Sequence, residues 1–390
     1  MASVLIIQQV MKHYRRPFFC QLHDSLSMQG IDLTVAYSDP NSAHASRNDG
    51  AELPEPWGVK VKAYWLFNKL LYQPLWSQIA AADLVIVGPE IKYLVNPVLL
   101  LMSALRLKRV AFWGLGPNLH PDRSAVAEWI KSHIFTQVDW WFAYTATIAD
   151  YLARKGMPEE RITTVQNASD TAELRRLMSD IPDQEVAAAK IALTGRSDSR
   201  IGFYCGMMQR IKSLPFLIRT AKKVKEKLPE FHLVLIGSGP ERAWLEDAVG
   251  GEPWIHYMGS KFGRESALYY RMADVFLLGG TAGLAVVDAF AAALPLLATK
   301  LPTHPPEISY VLDGENGRLA PHDEGAFADT IVDTLSTPSM MSRLRAGALK
   351  SSDRYTMEAM VNNFSTGIRK CLISSGIKTR ADVSSLQEQG

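Results

Sequence analysis

The sequence predicts an α/β protein made of two doubly wound domains with parallel sheets. Short, continuously apolar runs alternate with helical patterns along the chain, as expected of strands that crossover helices bury on both faces. At 390 residues the chain is too long for one ordinary core, so two domains of roughly 150–200 residues are expected. The alternation also starts afresh near residue 200, after a stretch (181–200) that ends in a polar Gly/Ser/Asp cluster.

In the first half the runs at 3–8, 32–37, 59–64, 83–88, 109–114, 140–145 and 162–167 read as strands. Helical patterns fall between them at 17–29, 91–106, 122–136 and 146–155. In the second half strands are expected at 200–206, 231–237, 254–259, 274–280 and 295–299. Helices are expected there at 213–228, 240–249, 263–272 and 283–293, followed by 325–336, 339–350 and an amphipathic one at 356–373. A hydrophobic share of 47% and a charged share of 21% suit a folded globular chain. A net charge of +2 is too small to argue for nucleic acid. Cys20, Cys205 and Cys371 lie far apart without paired spacing and read as reduced thiols of a cytoplasmic protein. The apolar run near the amino terminus is too short for a signal peptide. The stretch 93–108, broken by Asn96 and Pro97, falls short of the ~20 residues that span a bilayer.

Three segments of the second half carry the residues suited to chemistry. "GMMQRIKSLPFLI" sets Gly206, Arg210 and Lys212 just after a strand, where cations can neutralise a diphosphate or simply open a surface helix. "LIGSGPERAWLE" places Gly237, Gly239 and Pro240 between a strand and a helix. It reads as a tight turn or a phosphate approach, and it lacks the third glycine of a dinucleotide fingerprint. "GGTAGLAVVDAFAAALPLLAT" is the most specific. Gly279, Gly280 and Gly283 let backbone approach a ligand, the following helix offers N–H groups to an anion, and Asp288 suits a ribose diol.

On these residues the chain resembles the nucleotide-sugar glycosyltransferases of the GT-B fold, in particular the retaining family-4 group. "GMMQRIKS" stands where that family has a Gly-Arg-Leu…Lys-Gly phosphate-binding turn, with Lys212 at the lysine and Met207 replacing the arginine. "GTAGLAVVD" overlays the E-x7-E motif, with Gly280 at the first glutamate and Asp288 at the second. "LIGSGPERAWLE" and "DGENGRL" (313–319) match other recurring segments. "HYRRPFFCQL", "FWGLGPNLH", "VDWWFAYT" and "RITTVQNASDTAEL" look like a bacterial branch of polysaccharide or cell-surface glycan assembly. That branch usually has a histidine where Leu115 stands, and His120 lies nearby as a partial substitute. "THPPEISY" (303–310) resembles the branch's loop facing the donor.

The resemblance implies two Rossmann-like domains facing across a cleft. Residues 1–180 would bind acceptor, 181–199 would be a linker and 200–355 would bind the nucleotide sugar. A helix over 356–373 would pack back toward the first domain, and 374–390 would be a polar tail. Lys212, Arg210 and Glu307 are the expected catalytic residues. Gly206, Gly237, Gly239, Lys261, Gly280, Thr281, Ala282, Gly283, Leu284, Asp288 and His304 are the expected donor-binding residues. His13, Tyr14, Arg15, Trp113, Gly114, Asn118 and His120 are expected to bind acceptor.

The donor would be a UDP-, GDP- or similar nucleotide sugar and the acceptor a glycan or a lipid-linked one. No cofactor is expected, and no D-x-D motif or His/Cys cluster suggests a metal. "KHYRRPFF" and "YWLFNKLLYQPLW" (64–76) form aromatic, weakly basic stretches. They suit either a core or peripheral contact with the inner membrane face. A catalytically silent scaffold is the other reading, supported by Leu115, Met207 and Gly280. A nicotinamide dehydrogenase fails for want of the third glycine and the ribose-binding acid.

Overall fold

The computed structural model describes residues 1–39, 50–116, 136–374 and 376. The chain divides into two α/β units: Met1–Asp170 with Met357–Gly390, and Thr171–Thr356.

The first unit contains β1 (Ala2–Val10), β2 (Ile31–Ser38), β3 (Gly58–Lys60), β4 (Tyr64–Leu66) and β5 (Leu70–Tyr72). These are followed by β6 (Leu84–Val87), β7 (Arg109–Gly114), β8 (Trp140–Ala143) and β9 (Ile162–Thr164). Among the described residues, seven of them form a parallel sheet in the order β3-β2-β1-β6-β7-β8-β9. Every residue of β6 and β8 is buried, which explains their unbroken apolar sequences. The strand expected over 59–64 ends early. Tyr64 begins an antiparallel hairpin of β4 with β5, turned by Phe67 and Asn68 in positive φ. The alternating pattern of residues 59–64 runs from one element into the next, which hides the break.

The helix Met357–Ile373 belongs to the first unit. Its Phe364 stacks on Phe142 at 4.3 Å between ring centroids and meets Trp113 and Phe18 edge-on at 4.9 and 5.4 Å. Such pairs contribute about 0.5–1.5 kcal/mol each beyond the area they bury. The last helix among the described residues is thereby fixed on the first sheet.

The second unit contains β10 (Arg200–Cys205), β11 (Phe231–Ile236), β12 (Ile255–Tyr257), β13 (Val275–Leu278), β14 (Leu296–Thr299) and β15 (Gly317–Ala320). They form a parallel sheet ordered β12-β11-β10-β13-β14-β15. In both units the order reverses beside the first strand, between β1 and β6 and between β10 and β13. Loops leave such a switch point in opposite directions and open a crevice at the carboxyl ends of the strands.

Residues 181–199 are not a linker. Asp183–Thr194 is a helix that opens on two acids, Asp183 and Glu185, at the end where the helix dipole favours them. Arg271 holds Asp183, and Arg264 grips Glu185 with two hydrogen bonds of 2.6 and 2.7 Å. The preceding helix, Ala172–Ser179, is also tied to this unit. Its Arg175 donates to Ser352 Oγ, and its Met178 carbonyl accepts from Arg271. The division therefore falls at Asp170/Thr171, ten residues before the expected one. The alanine-rich run Val186–Leu193 is good helix sequence, and the polar cluster that suggested a linker only closes that helix at Gly195.

The helix expected over 283–293 is shorter, Ala285–Ala291. Lys212 takes the carbonyls of Thr281 and Ala282, and Gly283 sits at φ 151°, so helical geometry cannot begin before residue 284. Among the described residues no helix is long and apolar enough to cross a membrane. Cys20, Cys205 and Cys371 are free thiols.

Candidate functional site

In the second unit the chain leaves β10 at Cys205 and makes a single 3-10 turn, Arg210–Lys212. It then enters the helix Leu214–Lys227 through Ser213, held at φ 49° and ψ 48°. This turn brings Lys212 to the loop that follows β13. The Lys212 Nζ donates to the Thr281 carbonyl at 2.8 Å and the Ala282 carbonyl at 2.9 Å. A Cβ built on Gly283 would lie 3.8 Å from that nitrogen. One ammonium, aimed by two backbone oxygens, therefore stands over the glycine loop at the switch point. Burial lowers its pKa to about 8, opposed by the nearby charge of Glu307.

Gly280 has a packing reason. A Cβ there would come within 2.3 Å of the Lys212 carbonyl carbon and 2.5 Å of the Ile211 and Lys212 oxygens. The contact is sealed by Thr281, whose N–H and Oγ1 both donate to the Ile211 carbonyl, at 2.9 and 3.1 Å. The two loops are thus one structure, and any side chain at 280 would separate them.

His304 holds the same loop from below. Its Nδ1 accepts from the Ala282 N–H at 3.0 Å, so Nε2 carries the proton and donates to the Thr299 carbonyl at 2.6 Å. Both ring nitrogens bond to backbone and the residue is 6% exposed, so its ring supports the loop from within the fold. Burial lowers its pKa, keeping it the neutral ring this bonding requires. Glu307, in the 3-10 helix Pro306–Tyr310, is 4% exposed. It acts on the site through its charge beside Lys212 rather than from an open surface. Leu284 and Asp288 are half-buried. The Asp288 charge reaches Cys205 and Tyr270, the thiol being pushed up to about 11 chiefly by burial.

Gly237 and Gly239 are occupied by the protein itself. A Cβ on Gly237 would lie 1.9 Å from the Gly206 carbonyl oxygen, and one on Gly239 would lie 2.4 Å from the Met208 oxygen. These glycines let the loop after β11 press on the loop after β10. Lys261 pairs with Glu265 one helical turn on. Arg210 is exposed and makes no ion pair among the described residues.

In the first unit, the carboxyl ends of β1, β6, β7 and β8 surround a cavity of about 160 Å³. Arg15, Tyr14 and Trp113 line it together with Gln9, Lys12, Glu90, Lys92, Tyr93 and Tyr144. Arg15 and Trp113 are buried, whereas His13 and Tyr14 are exposed. Gly114, the last residue of β7, lies against Pro89. Asn118, His120 and most of the helix expected over 122–136 lie outside the described residues, as does the tail apart from Ser374 and Gly376. Sequence reading missed Gln9, Lys92, Tyr93 and Asn167. No motif marks them, because sheet order alone brings them beside Arg15.

The two switch-point units have the GT-B fold. Residues 199–337, the segment that carries the lysine turn and the glycine loop, match the family model described as Glycosyl transferases group 1. The chain is 26% identical over 194 residues to alpha-monoglucosyldiacylglycerol synthase of Acholeplasma laidlawii, covering 48% of each chain. It is 31% identical over 128 residues to sulfoquinovosyl transferase SQD2 of Arabidopsis thaliana, covering 32% of this chain and 24% of that one. It thus spans about half the length of the first relative and about a quarter of the second. Among solved structures it resembles HepE of Anabaena in complex with UDP, at 13% identity and a TM-score of 0.66. That match covers 94% of this chain and 99% of the other.

Proposed function

We propose that this protein is a glycosyltransferase that moves a sugar from a nucleotide-diphosphate donor to a glycan or lipid-linked acceptor, with retention of configuration. The observation that carries the reading is Lys212, fixed by two carbonyls over the glycine loop at the switch point of the second unit. The HepE structures with UDP and with UDP-glucose support a nucleotide sugar as the donor.

In this reading the donor's diphosphate lies on the N–H groups at Gly283 and Leu284, and Lys212 meets the charge that grows on the leaving phosphate. Arg210 adds a second cation at the rim, and Asp288 addresses the ribose. Glu307 is a positioning residue that keeps Lys212 protonated. As the glycosidic bond breaks, the leaving phosphate oxygen takes the acceptor's proton, so no side chain has to act as base. Well-placed donors to a developing oxyanion contribute on the order of 3–4 kcal/mol each. The acceptor is held by the first unit, where Arg15, Tyr14, Trp113 and their neighbours line the cavity at the end of β1. Exposed Tyr64, Leu66, Phe67 and Trp76 beside Lys62 and Lys69 support peripheral contact with an anionic membrane surface.

The test is a thermal-shift series with UDP-, GDP- and ADP-sugars, joined to slow donor hydrolysis. One nucleotide is expected to raise the Tm and its sugar to be released slowly. No shift with any of the three, and no hydrolysis, overturns the reading.

A pH dependence follows from Lys212. Its native pKa, about 8, lies below the ordinary value of 10.5, so the ammonium is mostly charged at pH 7 and mostly neutral at pH 9. UDP affinity is expected to fall about tenfold over that interval, and the Lys212→Met variant to show no such fall. Stability moves the opposite way. Between pH 8 and 10 the unfolded chain binds the proton that native Lys212 has lost, so this group's contribution to stability rises with pH. Calorimetric titration with UDP at both pH values checks the first statement.

A further inference from the structure

The cavity at the end of β1 has a one-sided chemistry. Arg15 is 8% exposed, yet no carboxylate pairs with it among the described residues. Its Nη2 donates to the neutral Asn167 Oδ1 at 2.8 Å, and Nη1 lies 3.9 Å from the Met360 sulfur. The guanidinium carbon stands over the rings of Trp113, Tyr14 and Tyr144, at 5.1, 5.2 and 5.8 Å from their centroids. Ring faces and an amide oxygen stabilise a cation without neutralising it. A guanidinium withdrawn from water and left at full charge is costly unless a counter-ion reaches it.

The rest of the wall leans the same way. Lys92 donates to Gln9 Oε1 at 2.6 Å, which takes up one of that oxygen's two lone pairs. Gln9 Nε2 and Trp113 Nε1 are both buried N–H groups without an acceptor among the described residues. The lining holds Lys12, Arg15 and Lys92 against one carboxylate, Glu90. Donors and positive charge are therefore in excess, and the group that matches them accepts hydrogen bonds only.

We propose that this cavity binds a phosphate ester through Arg15 and Lys92, so that the acceptor carries a phosphate next to the group that receives the sugar. The assignment to an acceptor rests on the glycosyltransferase reading; binding of the phosphate itself does not. A fork of N–H donors beside a second cation suits a phosphate dianion better than a single carboxylate. About 160 Å³ leaves room for the phosphate and part of the group that bears it.

The test titrates the full chain with glycerol 3-phosphate by calorimetry, with glycerol as the neutral control and no nucleotide sugar present. Wild type and Lys212→Ala are expected to bind the phosphate and not glycerol. Arg15→Gln is expected to bind at least tenfold more weakly and Lys92→Gln several-fold more weakly. Since Lys92 is half-exposed, its variant remains informative if loss of Arg15 unfolds the unit. A parallel arm uses vesicles of phosphatidic acid in phosphatidylcholine. Arg15-dependent binding to the soluble ester gives a soluble acceptor, Arg15-dependent binding to the vesicles alone gives a lipid-borne one, and either supports the proposal. Binding that survives Arg15→Gln and Lys92→Gln but is lost in Lys212→Ala, or binding in neither arm, overturns it. UDP-sugar stabilisation of Arg15→Gln is measured alongside, so that failure here is told apart from failure of the donor site.

Discussion

Gly280→Glu is expected to lower UDP affinity at least tenfold and to reduce the Tm, although it supplies the first glutamate of the E-x7-E motif that the sequence resembles. The reason lies in the contact between two loops. A Cβ at 280 meets the backbone of Ile211 and Lys212 at 2.3–2.5 Å, distances no flexible side chain can relieve. The turn Arg210–Lys212 must move, and with it the Thr281 hydrogen bonds to Ile211 and the aim of Lys212. Overpacking of this kind costs about 1–3 kcal/mol. Gly280→Ala is expected to show most of the same loss, because the first carbon already collides. Calorimetry with UDP and thermal melts check both variants. A Gly280→Glu protein that binds UDP as well as wild type would falsify the placement of the loop. Gly280, taken from the sequence as a sign of lost chemistry, therefore no longer argues for a silent scaffold.

Lys212→Ala is expected to reduce sugar transfer, or donor hydrolysis, by about 10²–10³-fold, the usual effect of removing one fixed donor to a developing oxyanion. The same change strips the Thr281 and Ala282 carbonyls of their partner, at about 1–3 kcal/mol for each acceptor left buried and unpaired. Lys212→Arg separates the two effects. It retains charge, but a planar fork replaces a compact ammonium in a space shaped for the latter, and it is expected to recover stability better than rate. Arg210→Ala, at an exposed position, is expected to cost several-fold at most. Single-turnover rates with saturating donor read the chemistry directly. A Lys212→Ala enzyme within twofold of wild type would remove Lys212 from the mechanism.

The alternation of apolar runs made the two α/β units legible, since a strand covered on both faces has to be apolar throughout. Lys212, the loop at 280–283, His304 and Glu307 were also legible as candidates, and the structure brings them to one place. The division at Asp170/Thr171 was not legible, because what binds Ala172–Ser179 and Asp183–Thr194 to the second unit is the reach of Arg271, Arg264 and Arg175. Those pairs are distant in sequence. The hairpin of β4 and β5 was hidden because one alternating stretch, 59–64, runs from β3 into β4.

By itself the sequence determined the periodicity, the order of most strands and helices, and which short segments are rich in glycine and cations. Those are local properties, set by what each residue's neighbours along the chain allow. The tertiary structure alone decided what those residues do. It showed that Gly280 is empty because backbone fills its space, that both nitrogens of His304 are already used, and that Arg15 is buried among rings with no counter-ion among the described residues. Each depends on which loops the sheet order sets side by side, and loops that leave neighbouring strands carry no trace of that proximity in their own sequences.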